Sequence, residues 1–179
     1  MDRAEIALAG LLHDIGKFWQ RAEGRGRAPG FEDFGPDDYG RNGAHATWSA
    51  AFVRDLLPEQ FAQMASTVLY HHRPADRAGK AVAVADRLAS GERADQSEEQ
   101  PRCLLSIFCQ IGEDEKRRPA PVYLPLAPLE LDENVIFPQQ KADGSQQAYR
   151  ALWDEFVRAV QLLDDVVDPA SYVEGVYHL

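Results

Sequence analysis

The residues best suited to chemistry are four histidines and two aspartates in the first half of the chain: His13-Asp14, His45, His71-His72 and Asp86. Imidazole and carboxylate together suit a divalent transition-metal ion such as Mn, Fe, Co, Ni or Zn. Two such ions can activate water and stabilise both oxygens of an in-line phosphoryl displacement. The aspartates carry most of this reading. Asp14 lies between Leu11-Leu12 and Ile15, and Asp86 ends the run Ala81-Val82-Ala83-Val84-Ala85. A carboxylate on an apolar helix face is costly unless paired or metal-bound. One histidine alone is more often a surface or satisfied core residue, so the cluster is read jointly. Lys17 and Arg73 are candidate phosphate contacts; each also reads as a solvated cation. Gly16 costs ~1 kcal/mol in a helix interior relative to alanine, which implies close approach of something. On one continuous helix His13 and Asp14 would point about 100 degrees apart, so they converge only if both face a cleft between helices.

The elements that must position these residues read as helices. Ile6, Leu8, Leu11, Leu12, Ile15, Phe18 and Trp19 recur at helical spacing, with Asp2 and Glu5 spaced as a capping box. Residues 20–43, rich in glycine and proline, read as a loop that is mobile or partly ordered by contacts. Helical spacing returns over 45–57, 59–71 and 78–92, the last with Ala81, Val82, Val84, Ala85, Leu88 and Ala89 as its apolar positions. A polar stretch over 93–101 is the expected domain boundary. Beyond it, Val122-Tyr123-Leu124 and Val135-Ile136-Phe137 read as short extended pieces, each followed by proline, and 145–165 as a helix. A last helix starts at Pro169 and reaches Leu179 without a capping glycine, which suggests a fragment of a longer protein. The expected fold is mainly α: a helical bundle over 1–95, then a small extension over 96–179 with short strands and two helices.

Composition limits the function. The net charge is −10, split as −2 over 1–95 and −8 over 96–179. That argues against a general charge-driven nucleic-acid binder but leaves room for a local groove. Arg21, Arg25, Arg27 and Arg41 flank the glycine-rich loop and are its candidates. Trp19, Trp48 and Tyr70 could stack bases or pack the core. With only Cys103 and Cys109, a disulfide framework and a cysteine zinc site are excluded; two reduced, packed thiols are expected. Neither a membrane span nor a signal peptide is legible, so a cytoplasmic location is expected.

The string Leu11-Leu12-His13-Asp14-Ile15-Gly16-Lys17 resembles the motif of the HD superfamily of metal-dependent phosphohydrolases. No histidine precedes His13, whereas the usual superfamily order has one well upstream. The order continues through Gly43-Ala44-His45-Ala46-Thr47-Trp48-Ser49-Ala50, Tyr70-His71-His72-Arg73-Pro74 and Ala85-Asp86-Arg87-Leu88-Ala89-Ser90-Gly91-Glu92-Arg93. It resembles the N-terminal, circularly permuted HD domain of the large subunit of type III-A (Csm) CRISPR effector complexes. Leu104-Leu105-Ser106-Ile107-Phe108, Tyr123-Leu124-Pro125-Leu126 and Ile136-Phe137-Pro138 look like the segment joining that domain to the first Palm domain. The Palm signature Gly-Gly-Asp-Asp does not occur in the chain.

The resemblance implies a single-stranded DNA nuclease that uses one or two Mn, Ni or Co ions. His13, Asp14, His45, His71, His72 and Asp86 would bind metal, with activated water as nucleophile. Which of His71 and His72 ligates stays open. Lys17, Arg21, Arg41 and Arg73 would hold the strand. The implied partners are the other Csm subunits and, through them, guide and target RNA. Two other functions compete: an HD phosphohydrolase acting on nucleotides or cyclic dinucleotides, and a catalytically silent docking module.

Overall fold

A computed structural model describes residues 1–24, 26–40, 43–90, 103–111, 119–128 and 130–179. Among these, the helices are α1 (Arg3–Leu12), α2 (Ile15–Glu23), α3 (Pro36–Tyr39), α4 (Ala44–Leu56), α5 (Met64–Leu69), α6 (Arg77–Ser90), α7 (Glu133–Ile136), α8 (Gln146–Gln161) and α9 (Pro169–Tyr177). Two 3-10 turns, Glu59–Phe61 and Ile107–Gln110, complete the order. The mainly α reading holds. Extended pairing among the described residues is limited to isolated antiparallel bridges, Leu105 with Tyr123 and Tyr123 with Gln139. Arg25, Arg41 and the 93–101 boundary fall outside the described residues.

The bundle is built around α4. Every residue from His45 to Val53 is buried, so this helix meets protein on all sides. It packs against α2, α5 and α8, while α1 packs against α5, α6 and α9. Leu8 and Leu12 of α1, Trp48 and Phe52 of α4, Phe61, Met64 and Val68 form one apolar cluster with Trp153 and Val160 of α8 and Tyr172 of α9. Each such side chain contributes about 1.5–3 kcal/mol on burial. The helices of the 96–179 extension therefore share one core with the first half. Trp153 stacks on Trp19 at 5.1 Å, and Trp19 meets Trp48 edge-on at 5.1 Å. Trp19 and Trp48 are core residues here, not a base-stacking platform.

Several local expectations hold and others change. The capping box of α1 is formed: Glu5 N–H donates to Asp2 Oδ1 at 2.9 Å, and Asp2 N–H to Glu5 Oε2 at 2.6 Å. The first apolar stretch is not one helix; it breaks at His13-Asp14, between α1 and α2. Within the glycine-rich region, 26–40 is anchored by buried Ala28, Phe31 and Tyr39 and by Ala28 N–H donating to Thr47 Oγ1. Val135-Ile136 closes a helical turn before the chain extends at Phe137. In α6 only Val82 and Ala83 of the apolar run are buried, and Val84 and Leu88 are 53% and 80% exposed. The helix lays a narrow face on α1 and α5, so its other apolar side chains face solvent. Cys103 and Cys109 are free, buried thiols, as expected.

Gly16 is where the packing is tightest. A Cβ there would lie 2.0 Å from the His45 carbonyl oxygen and 2.5 Å from Ser49 N. The close approach implied by the sequence is thus the α4 backbone crossing α2. Gly10, in α1, has nothing within 4 Å of its Cβ position. Gly16→Ala is expected to destabilise the fold by about 3 kcal/mol, the upper range for overpacking, because the obstacle is backbone. Gly10→Ala is expected to stabilise it by up to about 1 kcal/mol. Urea unfolding of the two variants checks the pair; equal midpoints would contradict the geometry.

Candidate metal centre

The site begins at the break between α1 and α2. His13 closes α1, and Asp14 takes φ −106°, ψ 1° before α2 starts. That bend lets two adjacent residues face one centre, which an unbroken helix would not allow. His13 Nδ1 bonds the Gly10 carbonyl at 2.7 Å, and His71 Nδ1 bonds the Val68 carbonyl at 2.6 Å. Both carbonyls lie in the last turn of a helix, where acceptors lack intrahelical partners. A carbonyl can only accept, so each Nδ1 carries the proton and each Nε2 keeps its lone pair. Two helix ends thereby fix the tautomer a metal ligand requires.

The other members come from separate elements. His45 enters in the first turn of α4, and His71-His72 follows α5. Gly40, at φ +93°, lets the chain pass His72, since a Cβ there would sit 3.2 Å from His72 Cβ. Asp86 reaches in from the buried face of α6, where Oδ1 is 3.4 Å from His13 Nε2. His45 Nε2 is 3.1 Å from Asp14 Oδ1, His71 Nε2 is 4.0 Å from the same oxygen, and His13 Nε2 is 3.6 Å from Asp14 Oδ2. The Nε2 atoms of His45 and His72 are 3.2 Å apart. All six predicted residues thus belong to one chain of contacts, in which Asp86 joins through His13 and His72 through His45.

Among the described residues, two overlapping groups have ligand atoms within 4.8 Å of one another: His13, Asp14 and His71, and His45, His71 and His72. His71, only 1% exposed, belongs to both. His13 Nε2, His71 Nε2 and Asp14 Oδ1 are buried and make no aligned hydrogen bond. Each such group costs about 1–3 kcal/mol if left without a partner. Two imidazole lone pairs and a carboxylate oxygen, orphaned together, fit a divalent transition-metal ion. Burial opposes ionisation of Asp14, but His45, Lys17 and His13 together outweigh it and hold the carboxyl well below the usual carboxylate range. Burial pushes the His71 imidazole down to about 4, only partly offset by its bond to Val68, and also lowers His72. The cluster accordingly offers an ionised Asp14 carboxylate and, at His71, a neutral imidazole near neutral pH.

The candidate strand contacts separate. Lys17 Nζ lies 2.5 Å from Asp14 Oδ2, so its charge is held on the cluster. Arg21 is turned toward α8, donating to the Tyr149 hydroxyl at 3.2 Å and lying over its ring. Arg73 donates to the Asp37 carbonyl at 2.5 Å and, with Tyr70, lines a cleft of about 500 Å³. Arg27 is tied to the carbonyls of Glu32 and Phe34. Arg41 lies outside the described residues. The sequence reading missed Ser49, whose hydroxyl donates to the His13 carbonyl at 2.7 Å and accepts from Gly16 N–H at 2.9 Å. Its spacing of one turn from His45, inside an apolar helix, was the available signal.

The lowered imidazoles set a pH dependence for the metal-free fold. His71 takes up a proton near its ordinary value of 6.5 when unfolded but only near 4 when folded. Stability is therefore intact above pH 6.5 and falls as the pH drops toward 4, by on the order of 3 kcal/mol for this residue. His72 and Asp14 act with the same sign, Asp14 at more acid pH. Urea unfolding in chelator between pH 7.5 and pH 4 is expected to show this decline. His71→Gln should flatten it, and an unchanged slope in that variant would contradict the assignment.

Compared with known proteins, the chain matches the family model of the HD domain over residues 1–103. No curated protein and no solved structure matches it. No helix among the described residues is long and apolar enough to cross a membrane. The match covers more than half of the chain and all six clustered residues, so the chain belongs to the HD domain family, whose members are in general metal-dependent phosphohydrolases.

Proposed function

We propose that this chain is a metal-dependent phosphodiesterase acting on single-stranded DNA, as the nuclease domain of the large subunit of a type III-A CRISPR effector complex. The observation that carries the reading is the contiguous cluster of His13, Asp14, His45, His71, His72 and Asp86, drawn from motifs in the order that branch resembles. A divalent ion held there, with Mn, Ni or Co proposed, supplies Lewis-acid activation of water and neutralises phosphoryl charge. The chain's own residues prepare the site. His13 and His71 offer lone pairs fixed by helix-end carbonyls. Asp14 is ionised and oriented by His45 and Lys17.

A strand suits the partly exposed rim of the site. The side chains of Asp14, Asp86 and Lys17 are 31%, 28% and 45% exposed. Lys17 brings positive charge to the solvent edge, where a backbone phosphate is met. With a net charge of −10 and Arg21 engaged by Tyr149, the isolated chain holds DNA weakly. Other subunits and the bound guide and target RNA complete the path of the strand in this reading.

The test is a single-stranded oligonucleotide incubated with the protein and Mn²⁺ at low salt, beside Asp14→Ala. Cleavage is expected for the unaltered chain. The variant should lose more than the ~100-fold that removal of an outer-shell partner can cost a metal site. Intact DNA with metal-loaded protein, or an equally active variant, overturns the reading. Turnover confined to nucleotides or cyclic dinucleotides would assign a different substrate to the same centre.

A further inference from the structure

The start of α2 has an unusual division of labour. A residue at the N-cap position ordinarily turns its side-chain oxygen onto the N–H of the second or third helical residue. Asp14 is a residue type suited to that task, but at φ −106°, ψ 1° its backbone is not the extended one of a capping residue, and it makes no such bond. Its carboxylate points into the cluster, toward His45 and Lys17. The N–H it would cap belongs to Gly16, and Ser49 Oγ from α4 takes it at 2.9 Å. The same hydroxyl donates to the His13 carbonyl at 2.7 Å, satisfying the end of α1. Ser49 is fully buried. One hydroxyl thus serves both backbone ends of the break that carries the His-Asp pair.

We infer that Ser49 is a positioning residue for the metal centre: it caps α2 from a neighbouring helix and so releases the Asp14 carboxylate for the ion. The inference rests on the reading of the cluster as a metal centre. Ser49 holds both backbone ends beside Asp14; without the hydroxyl the Gly16 N–H needs a partner, and an Asp14 relaxed to the extended capping conformation supplies the nearest acceptor in sequence. Capping and ligation then compete for one carboxylate. Gly16 allows the arrangement, because any side chain there would displace α4 and the hydroxyl with it.

Thr47 supplies a matched control. It is fully buried on the same helix, its hydroxyl accepts from Ala28 N–H at 3.0 Å and donates to the Ala44 carbonyl at 2.7 Å, and no bond ties it to His13 or Gly16. Ser49→Ala and Thr47→Val each delete one buried hydroxyl. Calorimetric titration with Mn²⁺, well below the unfolding temperature, is expected to show at least tenfold weaker binding for Ser49→Ala and a change within about twofold for Thr47→Val, although both unfold earlier. Manganese binding by Ser49→Ala equal to the unaltered chain, or an equal loss in both variants, overturns the inference. If the alanine variant does not fold, Ser49→Cys, which keeps the volume with a poor hydrogen-bonding group, is read in its place. A crystal structure of the metal-free variant gives a second readout. The Asp14 backbone should have become extended and its carboxylate turned onto the Gly16 N–H; a carboxylate still directed at His45 overturns the inference even if no manganese binds. Failure of the unaltered chain to bind manganese counts instead against the metal centre.

Discussion

The backbone contact of α2 with α4 at Gly16 is the constraint on which the rest depends. It brings the His13-Asp14 break against the first turn of α4, where His45 enters. The contact is possible only because one residue has no side chain. Ser49 then pins the two backbones with a donor and an acceptor bond. The glycine and lysine that follow the His-Asp pair are therefore of different kinds. Gly16 acts through geometry, whereas Lys17 acts through charge, on Asp14 Oδ2.

Around that contact the molecule places polar groups where a core would otherwise be apolar. One ionised carboxylate faces His13, His45 and His71, and the His45 and His72 rings meet nitrogen to nitrogen at 3.2 Å. Without an ion, such a contact leaves at most one proton between two acceptors. The orphaned atoms of His13, Asp14 and His71 add to the same cost. A divalent cation satisfies lone pairs and charge together, so the fold keeps as function what it gives up in stability. That trade explains why burial and tautomer are both fixed before any ion arrives.

The cluster of candidate residues was legible in the sequence because carboxylates in apolar runs have few explanations, and Asp14 and Asp86 are both of that kind. Gly16 was legible as a close approach, but its neighbour was not, because a single chain does not say which helix crosses which. The break at His13-Asp14 was hidden because Leu8, Leu12, Ile15 and Phe18 keep helical spacing across it, and apolar period alone does not register one non-helical residue. The exposure of Val84 and Leu88 was hidden because alanine and valine occur on every side of α6. The order within 26–40 was masked by its glycines, although Ala28, Phe31 and Tyr39 were the anchors.

The distribution of labour along the chain follows from the same core. The chemistry lies in the first half, yet the apolar side of α2 is closed by α8. Phe18 and Trp19 follow Lys17 on α2 and pack edge-on and face-on against Trp153. Phe52, one turn beyond Trp48 on α4, meets Trp153 and Phe156. Tyr172 of α9 closes Phe61 at 4.8 Å, beneath the segment that leads into α5 and His71. α2 and α4 therefore lie between the His and Asp cluster on one side and α8 on the other. The matched span of 1–103 contains all six clustered residues, but the apolar sides of its helices α1, α2 and α4 are packed by α8 and α9, which lie beyond it. The precision of the cluster depends on rigid α2 and α4, and that rigidity depends on aromatic packing from the far end of the chain.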